Sequence, residues 1–110
     1  MIFDRQENAT IVTQESVSLP IFLKRLHEGY ANLKNDNIII NLFSLNKFTV
    51  NDLLEFLQLS NQHRKAKKSF VIVTEAISYD DIPDEMVVVP TLQEAFDIIE
   101  MEEIERDLDF

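Results

Sequence analysis

Residues Asn37 to Thr74, NIIINLFSLNKFTVNDLLEFLQLSNQHRKAKKSFVIVT, read as a buried strand, a short turn, an amphipathic helix and a second buried strand, together a βαβ unit. Ile38, Ile39 and Ile40 with Leu42 form an apolar, β-branched run too short for a helix, and Phe70 to Val73 form another. Runs that are apolar on both faces suit parallel strands covered by helices on each side. Between the runs, Thr49 and Asp52 have the three-residue spacing of a capping box, which fixes where the helix begins. Val50, Leu53, Leu54 and Leu57 follow at i, i+3, i+4 and i+7, and Phe56 and Leu59 broaden that face. The far end, His63, Arg64, Lys65, Lys67 and Lys68, sets cations against the negative end of the helix dipole.

On the N-terminal side, Ile2 to Arg5 and Thr10 to Gln14 are strand candidates separated by Gln6, Glu7 and Asn8, an antiparallel hairpin at the sheet edge. Ser18 stands at a helix N-cap position with Pro20 in the first turn. Leu19, Phe22, Leu23, Leu26, Tyr30 and Leu33 then make one apolar stripe. Gly29, the only glycine, points to close packing or a nearby helix end. On the C-terminal side, EAISYDDIPDE is an acidic crossover made by a short helical turn or a plain loop, and Met86 to Val89 is a third apolar run. Pro90 ends it, and Thr91 with Glu94 caps a helix that buries Leu92, Ala95, Phe96 and Ile99. The final EEIERDLDF stacks negative charge at a helix end, which predicts fraying or contact with a basic surface. The expectation is one α/β domain over residues 1–110, a mixed β-sheet of four to five strands covered by helices.

Composition excludes several function classes. The 110 residues suffice for one core, and a 45% hydrophobic, 27% charged chain is ordinary for a soluble domain. With no cysteine there is no disulfide framework, thiol nucleophile or thiolate metal site, which fits a reducing compartment. MIFDRQENAT has no signal-peptide core, and no apolar run reaches membrane-span length, so a cytoplasmic location away from membranes is expected. A formal charge of −10 repels nucleic acid and anionic lipid. The signs are segregated: Arg64, Lys65, Lys67 and Lys68 cluster, while Glu94 to Asp109 holds eight acidic residues and one basic, Arg106. Such polarity suits a protein partner with complementary patches, although solvated helix ends give the same pattern.

A strand hairpin, then helix, strand, helix, strand, short crossover, strand and helix is the order of STAS domains, the family of anti-sigma factor antagonists and of the cytoplasmic domains of sulfate transporters. NIIINLFSLNKFTVNDLLEFL resembles that family's strand, phosphorylation loop and second helix, and VVVPTLQEAFDII is similar to its last strand and terminal helix. The resemblance covers nearly the whole chain. It implies a non-catalytic regulatory module, without cofactor or metal, that meets a protein partner such as a kinase-like anti-sigma factor. The surface it implies holds Phe43, Ser44, Lys47, Phe48, Thr49, Asn51 and Asp52. If Phe43 and Phe48 are both exposed, they form an apolar platform there. In antagonist STAS domains the loop usually reads Asp-Ser-Ser-Gly and carries a phosphorylated serine. Laid on this chain, the loop falls at Thr49 to Asp52, and the phosphoacceptor position holds Asn51, which has no hydroxyl. Thr49 is the remaining phosphorylation candidate, at the expense of a cap worth about 1 kcal/mol. Asn41 replaces the carboxylate often found at the end of the central strand, and Glu75 to Glu85 replaces the third helix.

Two other classes compete. A receiver-like phospho-switch needs paired acidic residues after the first strand and an aspartate ending the third, where Gln14, Glu15 and Asn41 stand. A small metal-assisted hydrolase would use Asp80, Asp81 and Asp84, with Glu85 beside them, through oxygen ligands. His27 and His63, the only histidines, are too few for an HxHxDH-type metal cluster and lack zinc-ligand spacing. A glycine-rich phosphate cradle is excluded by the single glycine.

Overall fold

The computed structural model describes residues 2–6, 8–15, 18–45 and 47–108, so Glu7 of the hairpin, Asn46 of the central turn and Asp109 of the acidic tail lie outside the described residues. Two short strands, β1 (Ile2–Arg5) and β2 (Thr10–Thr13), precede helix α1 (Leu19–Leu33) and the central strand β3 (Ile38–Asn41). Helices α2 (Val50–Leu54) and α3 (Leu57–Lys65) lead to β4 (Phe70–Val73), and a 3-10 turn at Tyr79–Asp81 leads to β5 (Val87–Val89) and α4 (Leu92–Leu108). The five strands lie in sequence order in one mixed sheet. β1 is antiparallel to β2, with Arg5 opposite Thr10, and the other pairings are parallel, with Ile39 between Ile11 and Val71. The fold is thus α/β, and no helix among the described residues is long and apolar enough to cross a membrane.

Sequential strand order places successive right-handed crossovers on one face of the sheet. That face holds Val12, Ile38, Ile40, Phe70 and Ile72 against Phe22 and Leu26 of α1, Leu53 of α2, and Leu59 of α3. The alternate strand residues Ile11, Ile39, Val71 and Val73 point the other way and meet only Ala95 and Ile99 of α4 with their flanking apolar neighbours. Five strands at about 4.8 Å spacing make a sheet about 19 Å wide, whereas one helix is about 10 Å across. One helix cannot cover that width, and α4 runs closest to β4 and β5.

Four local features narrow the sequence expectation or differ from it. Gly29 lies about one turn before the end of α1, as one of its two expected settings has it, and a Cβ there would meet nothing within 4 Å, so the other, close packing, does not apply. Ser18 has the extended N-cap conformation, but its side chain makes no cap bond. The expected single helix after the capping box is broken at Glu55 and Phe56. Their N–H groups bond back three residues, to Asp52 O at 3.2 Å and Leu53 O at 3.0 Å, tightening the turn. The break swings the buried Phe56 ring inward, with centroids 6.4 Å from Phe22 and 6.2 Å from Phe48, and leaves Leu54 off the core at 42% exposure. Finally, α3 ends in a Schellman motif, with Lys67 N–H donating to Arg64 O and Lys68 N–H to His63 O. Its left-handed position is occupied by Lys67, at φ 67°, where glycine is usual.

The acidic C-terminal helix is held by a contact with the basic surface. Arg64 donates both guanidinium arms to Glu102, at 3.3 and 3.0 Å, and Ser69 Oγ donates to Glu102 at 2.6 Å. Asn37, just before β3, accepts the Ser69 N–H at 2.9 Å and an Arg106 N–H at 3.4 Å on its side-chain oxygen. Its amide nitrogen donates to Asn8 O at 2.9 Å and to Glu103. The far end of α4 is thereby tied to the amino ends of β3 and β4.

The backbone departures give a direct stability test. Gly29→Ala should raise the free energy of unfolding by about 1 kcal/mol, because the helix interior gains propensity without a clash. Lys67→Gly should raise it by about 1 kcal/mol through relief of the left-handed strain. Urea midpoints of the two variants against the parent check both values.

Candidate functional site

The candidate surface lies beyond the carboxyl ends of the central strands, where open α/β sheets present their ligand crevices. Leu42 continues the ladder, its N–H donating to Val73 O at 2.9 Å, and is buried. Leu45 N–H returns to Leu42 O at 3.0 Å and closes a turn. Asn41 stiffens that turn by accepting the Phe43 N–H on its side-chain oxygen at 3.1 Å. With Leu42 and the half-buried Leu45 facing inward, Phe43 and Ser44 occupy the outer corner, and the Phe43 ring is 67% exposed.

Phe48 corrects the expected platform. It is only 4% exposed and packs in the core beside Phe56, so it offers no surface to a partner and Phe43 projects alone. Next to it the capping box is complete. Asp52 N–H donates to Thr49 Oγ1 at 3.2 Å, and Thr49 N–H donates to Asp52 Oδ2 at 3.0 Å. The Thr49 hydroxyl oxygen therefore has a structural task, although the residue is exposed. Lys47 and Asn51 are exposed, Asp52 is half-buried, and Leu54 extends the strip with its exposed side chain.

The structure adds neighbours that the sequence did not point to. A shallow groove of about 470 Å³ between α1 and α2 joins Leu23, Lys24 and His27 to Asp52 and Glu55. His27 and Asp52 are twenty-five positions apart in sequence, and only the packing of α1 against the crossover helices unites them. Among the described residues no group of three or more His, Asp or Glu side chains is arranged to hold a metal ion. Asp80 and Asp81 lie in the 3-10 turn, and Asp84 follows it on the crossover. At the receiver-like positions, Gln14 is buried, with its N–H bonded to Asn41 O at 3.1 Å, and Glu15 is exposed. The basic cluster is not a free cationic face. Arg64, Lys67, Lys68 and Arg106 border a recess that also contains Glu102 and Glu105, and Arg64 is engaged with Glu102.

His63 likewise departs from its expected role as a helix-end cation. The ring is fully buried, edge-on to Tyr30 and Phe70 with centroids at 5.5 and 6.1 Å. Its Nε2 lies 2.7 Å from Asp36 O and its Nδ1 2.8 Å from the Tyr30 hydroxyl. A carbonyl oxygen only accepts, so Nε2 carries the proton and Nδ1 accepts from Tyr30 in the neutral ring. Burial lowers the pKa of His63, assisted by the Lys68 charge and opposed by the Asp36 carbonyl bond and carboxylate. Burial also raises the pKa of Tyr30, which keeps its donating proton.

The sign of the resulting pH dependence is fixed. Above a pH of about 6.5 His63 is neutral in both folded and unfolded chains, and its contribution to stability is complete. Below that value the unfolded chain binds a proton that the buried ring resists. Stability therefore falls with pH until the folded ring itself titrates, by at most about 1.4 kcal/mol per pH unit. Urea midpoints of the parent and of His63→Gln between pH 7 and 5 should show a steeper decline for the parent, with the carboxylate background cancelling in the comparison.

No protein-family model matches this chain, and no curated protein matches its sequence.

Proposed function

We propose that this chain is a non-catalytic, STAS-like regulatory module of the cytoplasm that binds a protein partner through the surface running from Phe43 to Leu54. The observation that carries this reading is the outward Phe43 ring, 67% exposed at the carboxyl end of the central strand on a turn braced by Asn41. A large aromatic ring held out by a rigid turn, with Leu54 at 42% exposure on the same connection, has the make-up of an interface anchor. Lys47, Thr49 and Asn51 supply the exposed polar positions around it. The resemblance to the STAS family points to the same connection, and it rests on the order of elements along the chain. The partner class is a kinase-like anti-sigma factor or a comparable regulator. With Asn51 at the usual phosphoacceptor position and the Thr49 oxygen engaged by Asp52, binding operates without phosphorylation of this loop. The formal charge of −10 argues against a nucleic-acid partner.

The test separates binding from folding. Phe43→Ser and Leu54→Ser remove exposed side chains, so each should leave stability within about 0.5 kcal/mol of the parent. A photo-crosslinking residue placed at position 43 should capture one protein in the native lysate, and placed at the exposed Gln93 should not. The captured protein, purified, should bind the Phe43→Ser, Leu54→Ser double variant at least ten-fold more weakly. Unchanged affinity, or equal capture from position 93, would place the interface elsewhere.

A further inference from the structure

The opposite flank of the molecule carries a second open feature, independent of Phe43. β5 is the last strand of the sheet and, among the described residues, has a neighbour on one side only. Thr74 N–H donates to Val89 O at 3.0 Å, and the register pairs Val71 with Val87 and Val73 with Val89. Backbone direction alternates along a parallel strand, so Val87 and Val89 turn their polar groups to β4 and Val88 turns its N–H and C=O to the outside.

Along that edge runs a cleft of about 690 Å³, between the crossover from β4 and the first turns of α4. Its floor is apolar, made by the three half-buried β5 valines with Met86 and Ile98. Its rim is acidic on both sides, with Asp80 and Asp84 from the crossover and Glu94 and Asp97 from the first turns of α4. Among the described residues none of these four carboxylates pairs with a cation. A second copy of the chain would bring an identical acidic rim and a further −10 of charge against the first, so edge-to-edge self-pairing is opposed. The complement of an apolar floor, two carboxylate walls and an unpaired strand edge is an extended segment with alternating β-branched and cationic side chains.

We infer that the β5 cleft binds an extended, lysine- or arginine-bearing peptide of a partner protein, added to the sheet as a sixth strand beside Val88. Main-chain hydrogen bonds to Val88 set its register, valine-like side chains on one face of the added strand pack beside Val88, and the cationic side chains on the other face reach Glu94 and Asp97.

The probe is a capped hexapeptide of alternating lysine and valine, titrated into the isotope-labelled full chain and followed by amide NMR. Saturable shifts are expected at Val88 and along Asp84 to Asp97, and none at Phe43. Each main-chain bond removed should weaken binding roughly five-fold. That loss is expected for the peptide N-methylated at the amides facing β5, and for Val88→Pro, a substitution that an outward-facing edge position tolerates. The Glu94→Gln, Asp97→Asn double variant should weaken binding and flatten its salt dependence. Undiminished binding of the methylated peptide would overturn strand addition, as would full displacement of the peptide by spermine with shifts confined to the rim. Undiminished binding to the double variant would overturn the charge match, and absence of binding at millimolar peptide would overturn the site.

Discussion

The central strand must be dry on both faces, and most of the molecule follows from that constraint. Ile38 and Ile40 face the crossover helices, Ile39 faces α4, and all three are fully buried. Fully burying an isoleucine side chain is worth about 1.5 to 3 kcal/mol, so losing either cover would expose a large share of a small domain's net stability. Sequential order supplies the first cover automatically, because each right-handed crossover lands on the same side. The second cover has a single source, α4, which turns back over the sheet after β5. Its apolar grip is narrow, with Ala95 and Ile99 its only buried residues.

The polar cluster below the sheet compensates for that narrow grip. Asn37 is the hinge of it, because its amide accepts from Ser69 and Arg106 and donates to Asn8 and Glu103, so one buried side chain joins the hairpin, β3, β4 and α4. Glu102 receives Arg64 and Ser69 in the same place. A carboxylate with bidentate and hydroxyl donors, partly shielded from solvent, contributes more than an open surface pair, whose typical worth is below about 1 kcal/mol. One of the negative charges that oppose the α4 dipole, Glu102, is thus paired with the neighbouring helix end, and the helix remains regular to Leu108.

What could be read from the sequence was what depends on near neighbours in the chain. Both threonine caps were visible, since Thr49 with Asp52 and Thr91 with Glu94 act within one turn. The strands were visible because β-branched runs bounded by turn residues admit few alternatives. The failures involve either distant partners or turns that no residue type announces. Phe56 and Leu54 fit one helical stripe in sequence, and only the packing of Phe22 and Phe48 decides that the helix breaks so that Phe56 enters the core and Leu54 leaves it. Lys67 adopts a glycine-like conformation because α3 must stop before β4, and no residue type there announces it. His63 looked like one of five helix-end cations, and Tyr30 and Asp36, twenty-seven and more positions away, make it a neutral buried donor and acceptor. Phe43 and Phe48 are indistinguishable by type, and the Leu42 to Leu45 turn assigns one to solvent and the other to the core.

The same geometry explains where this molecule has surface available for other tasks. The crossover face is closed by α1, α2 and α3, which leave only shallow grooves between them, and the amino ends of β3 and β4 are occupied by the Asn37 cluster. Among the described residues, at least two regions escape these demands. At the carboxyl ends of the strands the chain reverses in turns, and a side chain at the outer corner of a turn, such as Phe43, cannot reach the core whatever its hydrophobicity. On the other face the single helix α4 runs closest to β4 and β5 and leaves a cleft beside β5, between its first turns and the crossover. An apolar ring at the first region and a valine-floored, acid-walled cleft at the second are what the sequence places where the fold itself needs neither. Core packing accounts for neither feature, whereas it does account for the buried histidine, and the Glu102 carboxylate already engages Arg64 at the basic helix end.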